Sequence, residues 1–134
     1  MLLTLLLTLA AQAPGALTDA EVERLHTPAF RACMARGDAR RGVTVAMLDC
    51  VDDEIRRHDE LLNARYRRIM TALPAPRRES LRRLQRAWIG RRDRICGSTG
   101  GGGTADTLSA QECFLRETIS RSEWLRSRYL RAAP

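Results

Sequence analysis

The sequence predicts an all-α fold, a small disulfide-stapled helical bundle built on an antiparallel helical hairpin. Three observations predict it. Two long stretches carry apolar residues at helical spacing, a Pro74-Ala75-Pro76 turn separates them, and four cysteines stand in two equally spaced pairs.

The chain opens on MLLTLLLTLA, an apolar run that gives way to small residues ending at Ala16. A core of this length followed by small residues reads as a secretory signal peptide, expected over residues 1–16, and is too short for a permanent membrane span. No Lys or Arg precedes it, so the positive n-region is missing. Ala10 and Ala13 are the candidate cleavage positions, and no cysteine is present there for a lipid anchor. Residues 17–134 are enough for one domain and too few for two.

A short helix is expected within residues 17–36, opened by Thr18 as N-cap with Glu21 three residues on. Val22 and Leu25 give it an apolar face, Pro28 interrupts it, and a segment from Phe30 to Met34 carries Cys33 before Gly37-Asp38 breaks the chain. The next helix begins with Thr44 as cap and runs to about Leu73. Its stripe is Val51, Ile55, His58, Leu62, Tyr66, Ile69 and Leu73, with Asp59 and Asn63 at its flank. After the proline turn, Leu81, Leu84, Trp88 and Ile95 mark one face of a second helix, with Gln85 and Arg92 beside it.

If the turn centres near Ala75, Asp59 lies opposite Arg92, Leu62 faces Trp88 and Tyr66 faces Leu84. Leu62, Tyr66 and Trp88 are then the core anchors. Asp59, Asn63, Gln85 and Arg92 form a structural polar cluster at the core's edge, where a charge is tolerable only when paired. Residues 97–104, GSTGGGGT, lack the lysine and the preceding strand of a phosphate-binding loop and read as a permissive connector. A last helix over residues 108–130 aligns Cys113, Phe114, Thr118, Arg121 and Leu125, with Trp124 and Tyr129 near that stripe.

Cys33, Cys50, Cys96 and Cys113 are an even set in a chain expected to be exported, the setting in which disulfides persist. Three connectivities exist. The local pairs, Cys33 with Cys50 and Cys96 with Cys113, are favoured, each worth roughly 3 kcal/mol by loop closure. No closely spaced metal-ligand pair occurs, and no metal or other cofactor is expected. Catalytic motifs are also missing. His26 and His58 are the only histidines, and if every cysteine is bridged no thiolate remains, so the chain reads as a non-enzyme.

All 23 basic residues are arginine, and the net charge is +7. Arg78, Arg82 and Arg86 recur every four residues on the side away from Trp88, a stripe suited to an anionic cell-wall polymer or lipid surface. Export argues against nucleic acid as the partner.

The patterns D-x-x-L-N-x-x-Y (Asp59, Leu62, Asn63, Tyr66) and Q-R-A-W-I-x-x-R-D-x-x-C (residues 85–96) precede a Gly-rich loop, Cys113, Thr118, Arg121 and Leu125. Together with Thr44, Met47 and Cys50 they resemble the LprI-type lysozyme-inhibitor family over roughly residues 33–125. The resemblance implies a small periplasmic or secreted helical protein of bacterial envelopes that binds lysozyme or another muramidase. It also makes the Gly-rich loop a candidate for insertion into a partner's cleft. Because vertebrate-type lysozyme is itself basic, the acidic residues Asp52, Asp53 and Glu54 are the expected points of approach, with Arg78, Arg82 and Arg86 as the alternative anion-binding set.

Overall fold

The computed structural model describes residues 16–97 and 102–131. The expected signal segment and the centre of the Gly-rich loop lie outside the described residues. Six helices follow in order: α1 Asp19–Leu25, α2 Pro28–Met34, α3 Gly37–Arg40, α4 Thr44–Ala72, α5 Ala75–Gly97 and α6 Thr104–Leu125, which runs into a π-helical turn Arg126–Leu130. No strand occurs among the described residues, so the fold is all-α as expected.

Local chemistry explains most of the boundaries. The Thr18 amide donates to Glu21 Oε2 at 2.7 Å and the Glu21 amide donates to Thr18 Oγ1 at 3.3 Å, so the expected capping box starts α1. Thr27 caps α2 by accepting from the Phe30 amide at 3.1 Å, and Pro28 occupies the first turn, where its missing donor costs nothing. The chain does break ahead of Gly37, but Gly37 and Asp38 themselves open the single-turn helix α3; Gly37 (φ 54°) and Gly42 (φ 81°), just beyond its end, take left-handed backbones that suit glycine. Thr44 is the first helical residue of α4 rather than its cap. Val43 holds the cap position with no side-chain bond, and its amide donates to the Asp38 carbonyl at 3.0 Å.

Helix α4 spans 29 residues, about 44 Å, and the other elements gather on it. It ends where Leu73 turns extended ahead of Pro74, and Arg78 Nη1 donates to the Leu73 carbonyl at 2.7 Å. The disulfides are Cys33–Cys50, which ties α2 to α4, and Cys96–Cys113, which ties α5 to α6; these are the two favoured pairs.

Helix α6 is the close neighbour of both α4 and α5, whereas α4 and α5 have little backbone apposition. Helices α5 and α6 are antiparallel: Cys96 with Cys113, Arg91 with Glu117 and Gln85 with Arg121 step in opposite directions. Helix α6 runs the same way as α4, since Val51 packs with Leu115 and Ile119, Arg65 reaches Ser122 and Glu123, and Ile69 packs with Leu125. Helices α4 and α5 are therefore antiparallel, as the predicted hairpin requires, but α6 mediates much of their packing.

Two apolar clusters result. Leu62, Ile69, Leu81, Trp88 and Leu125 form one, with Tyr66 packed against it, and Val22, Val51, Leu115 and Ile119 form the other beneath α1. Two residues expected on the buried face of α5 are corrected: Leu84 and Ile95 are 47% and 51% exposed. The inward row is Leu81, Gln85, Trp88, the half-buried Arg92 and Cys96. The bridge from Cys96 to Cys113 and the bond from Gln85 to Arg121 turn this row toward α6.

Candidate functional site

The expected cluster of Asp59, Asn63, Gln85 and Arg92 is not one assembly. Asn63 Nδ2 donates to Asp59 Oδ2 at 3.0 Å along α4. Gln85 Oε1 instead accepts from Arg121 Nε at 2.5 Å, across to α6. Arg92 pairs with its neighbour Asp93 at 3.0 Å and lies over the rings of Trp88 and Phe114, 5.0 and 5.3 Å from their centroids. Leu62 and Trp88 share one apolar cluster, as the hairpin register expects, but the polar partner of Gln85 comes from α6 rather than from α4.

Glu54 requires a second correction, because it is 0% exposed and cannot be an approach point for a partner. Its carboxylate accepts from the Thr27 amide at 2.7 Å and the Thr27 hydroxyl at 2.6 Å, tying the start of α2 to α4. His58 Nε2 stands 3.1 Å from Oε1, Arg57 Nη1 donates at 3.2 Å, and His26 Nδ1 is 3.7 Å away. Both histidines of the chain thus meet one buried acid. Burial pushes the Glu54 carboxyl up, but the Thr27 hydrogen bonds, His58 and Arg57 outweigh it and hold it below the ordinary value. Burial pulls the His58 imidazole down, and the attraction of Glu54 only partly offsets this. The sequence did hold a signal: Val51, Glu54, His58 and Leu62 step by three, four and four, which places Glu54 on the apolar stripe.

The remaining proposed contacts are at the surface. Asp52 is exposed, and Asp53 pairs with Arg56 one turn on. Arg78 is engaged with the Leu73 carbonyl, while Arg82, Arg83 and Arg86 all lie within 3.7 Å of Glu79. The arginine stripe is therefore partly neutralised by one carboxylate. Residues 98–101 of the Gly-rich loop, the candidate for insertion, lie outside the described residues; the Cys96–Cys113 bridge closes the segment that contains them.

One concave feature gathers residues of the tryptophan motif. A cleft of about 360 Å³ is lined by Leu17, Trp88, Arg91, Arg116, Arg121 and Trp124, among others. Arg121 lies 3.9 Å from the Trp124 ring centroid and 5.7 Å from that of Trp88. Trp124 is held edge-on by Tyr129, with centroids 5.7 Å apart. Burial pulls the Arg121 guanidinium down to about 10, Tyr129 opposing the shift and Arg91 adding to it. On α6, Glu117, Arg121 and Trp124 recur at helical spacing, but only the fold shows that Gln85 and Trp88 meet them.

Fold and site together define a class: a small all-helical protein with two local disulfides and an arginine held between tryptophans beside a shallow cleft. The matching family is the lysozyme inhibitor LprI family, whose sequence model covers residues 33–125, and the chain belongs to it. An uncharacterized protein of Rhizobium meliloti (strain 1021) is 30% identical over 106 residues, which cover 66% of this chain and 76% of that protein. No solved structure matches the chain. The disulfides and the family fit an exported protein, and among the described residues no helix is long and apolar enough to cross a membrane.

Proposed function

We propose that the protein is an exported inhibitor that binds lysozyme-like muramidases and blocks them without performing chemistry of its own. The family match carries this reading, since residues 33–125 include both disulfides and the Gln85, Trp88 and Arg121 constellation. A net charge of +7 slows encounter with a basic enzyme, so affinity must come from local contacts and depend little on salt. With Glu54 withdrawn into the core, Asp52 and Asp53 are the acids of that group left to meet a basic partner.

The test is a titration of oxidised, signal-free protein into lysozyme-driven lysis of bacterial cell walls, using more than one lysozyme class at two salt concentrations. Loss of lysis near stoichiometric ratio at both salts is expected. Protection only at low salt, matched by unrelated basic proteins, supports a second reading: a wall-coating module that uses the arginine face. One observation favours that alternative, namely that Arg82, Arg83 and Arg86 share the single carboxylate of Glu79. No protection by any route removes inhibition of the tested enzymes.

A further inference from the structure

Most guanidinium groups with a described contact in this chain sit on a carboxylate or a backbone carbonyl. Arg121 is an exception. Its Nε is used by the side-chain carbonyl of Gln85, a neutral acceptor, and an aromatic ring lies against it at 3.9 Å. Its Nη2 is buried with no hydrogen-bond partner, and no carboxylate pairs with it among the described residues. Glu117, one turn earlier on α6, lines the same cleft but faces Arg91 at 3.5 Å. A cation withdrawn from water without a counter-charge is unfavourable, and stacking on tryptophan offsets only part of that.

Chemistry around the cleft points the same way. Three guanidinium groups line it, those of Arg91, Arg116 and Arg121, against the carboxylates of Asp19 and Glu117. One positive charge is left over, the balance of a monoanion. Both rim arginines are held loosely: Arg91 to Glu117 at 3.5 Å and Arg116 to Asp19 at 3.8 Å, with the two arginine side chains 57% and 55% exposed. They can turn inward at little cost, since exposed ion pairs of this kind contribute little.

We propose that this cleft is a binding site for a carboxylate group, with Arg121 as its counter-charge and Arg91 and Arg116 closing on it from the rim. A carboxylate suits the planar guanidinium fork; the exposed in-plane edges that can grip it are those of Arg91 and Arg116, and Arg121, its Nε held by Gln85, supplies the charge behind them. The site stands apart from the inhibitor reading: the cleft could bind an acid whether or not any muramidase is inhibited. Its carboxylate could come from an acidic sugar of the wall or from an acidic side chain of a protein, and the probes separate these sources.

Trp88 and Trp124, the only tryptophans of the chain, both line the cleft, so intrinsic fluorescence reports on it directly. Oxidised protein would be titrated at constant ionic strength with N-acetylmuramate, with N-acetylglucosamine as the same sugar lacking the carboxylate-bearing lactyl ether, with N-acetylglutamate α-amide, and with inorganic phosphate. Thermal midpoints would be read alongside. Saturable fluorescence change and a raised midpoint are expected with one or both acids and not with N-acetylglucosamine. Response to the muramate alone identifies a wall source, response to the glutamate derivative alone a protein source, and response to both the carboxylate itself.

Arg121→Gln should weaken binding by about tenfold or more, as expected for losing a charge-assisted hydrogen bond. Arg116→Ser, at an exposed position, should weaken it several-fold while leaving the unliganded midpoint in place, and it carries the test if Arg121→Gln does not fold. An equal response to the neutral sugar, tighter binding of phosphate than of either acid, no saturable response to any probe, or undiminished binding in both variants would overturn the proposal.

Discussion

Replacing Glu54 with alanine should cost this protein about 3 to 5 kcal/mol, the range for removing one partner from a buried charged network. The estimate can be built from the contacts. Without the carboxylate, the Thr27 amide and hydroxyl and His58 Nε2 lose acceptors at 2.7, 2.6 and 3.1 Å. Arg57, with 40% of its side chain exposed, can turn to water at little cost. Two stranded donors at about 1 to 3 kcal/mol each already reach that range, before any cavity is counted. Glu54→Gln keeps the volume and one acceptor oxygen but sets an amide against the Thr27 donors, so a smaller loss of about 2 kcal/mol is expected. Urea unfolding of the oxidised protein is the assay. With a slope of about 2 kcal/mol per molar, the alanine variant's midpoint should fall by about 2 M with the slope unchanged. Hydrogen exchange should lose protection first at the Thr27 amide and the start of α2, while Cys33–Cys50 keeps α2 tethered. A loss below about 1 kcal/mol for Glu54→Ala would refute the assignment of Glu54 as the tie between α2 and α4.

The same groups predict a pH dependence with a defined sign. His58 is held below its ordinary 6.5, so the unfolded chain binds the proton more readily and stability declines as pH falls below about 6.5. Glu54 and Glu123 are held below their ordinary 4.5, so their contributions are complete above that value and are lost as pH falls through the folded ones. Urea midpoints should therefore drop in two stages between pH 7 and 3, and a flat profile would contradict both shifts. The rotation of α5 is tested by a pair of substitutions. Leu81→Ala, at a fully buried position, should cost about 2 to 5 kcal/mol, whereas Leu84→Ala, at an exposed one, should cost less than about 1 kcal/mol. Equal losses would mean that α5 presents the face read from hydrophobicity alone.

Much of the fold was legible because its causes are local. The capping box at Thr18 and Glu21, the proline turn after Leu73 and the stripe along α4 depend on residues a few positions apart. They could be read without knowing what packs where. The disulfide pairs were favoured from two equal cysteine spacings, and a short loop closes at a smaller entropic cost than a long one. The candidate site was legible only in part: Gln85, Trp88 and Arg121 stood out as a pattern, but the cleft that Trp88 and Arg121 border did not.

By itself, then, the sequence determined an all-helical chain, the approximate limits of its long helices and the family, and it favoured the bridges that the structure contains. Tertiary structure alone decided which side of α5 is buried, that α6 rather than α5 is the close neighbour of α4, that Glu54 is a buried tie and that Arg121 has no carboxylate partner among the described residues. The physical reason is rotation about the helix axis. A helix forms from hydrogen bonds four residues apart, whereas its facing is set by partners far along the chain, here Cys96 with Cys113, Gln85 with Arg121 and Arg65 with Glu123. Hydrophobicity favoured Leu84 and Ile95, and those distant bonds turned them to the solvent.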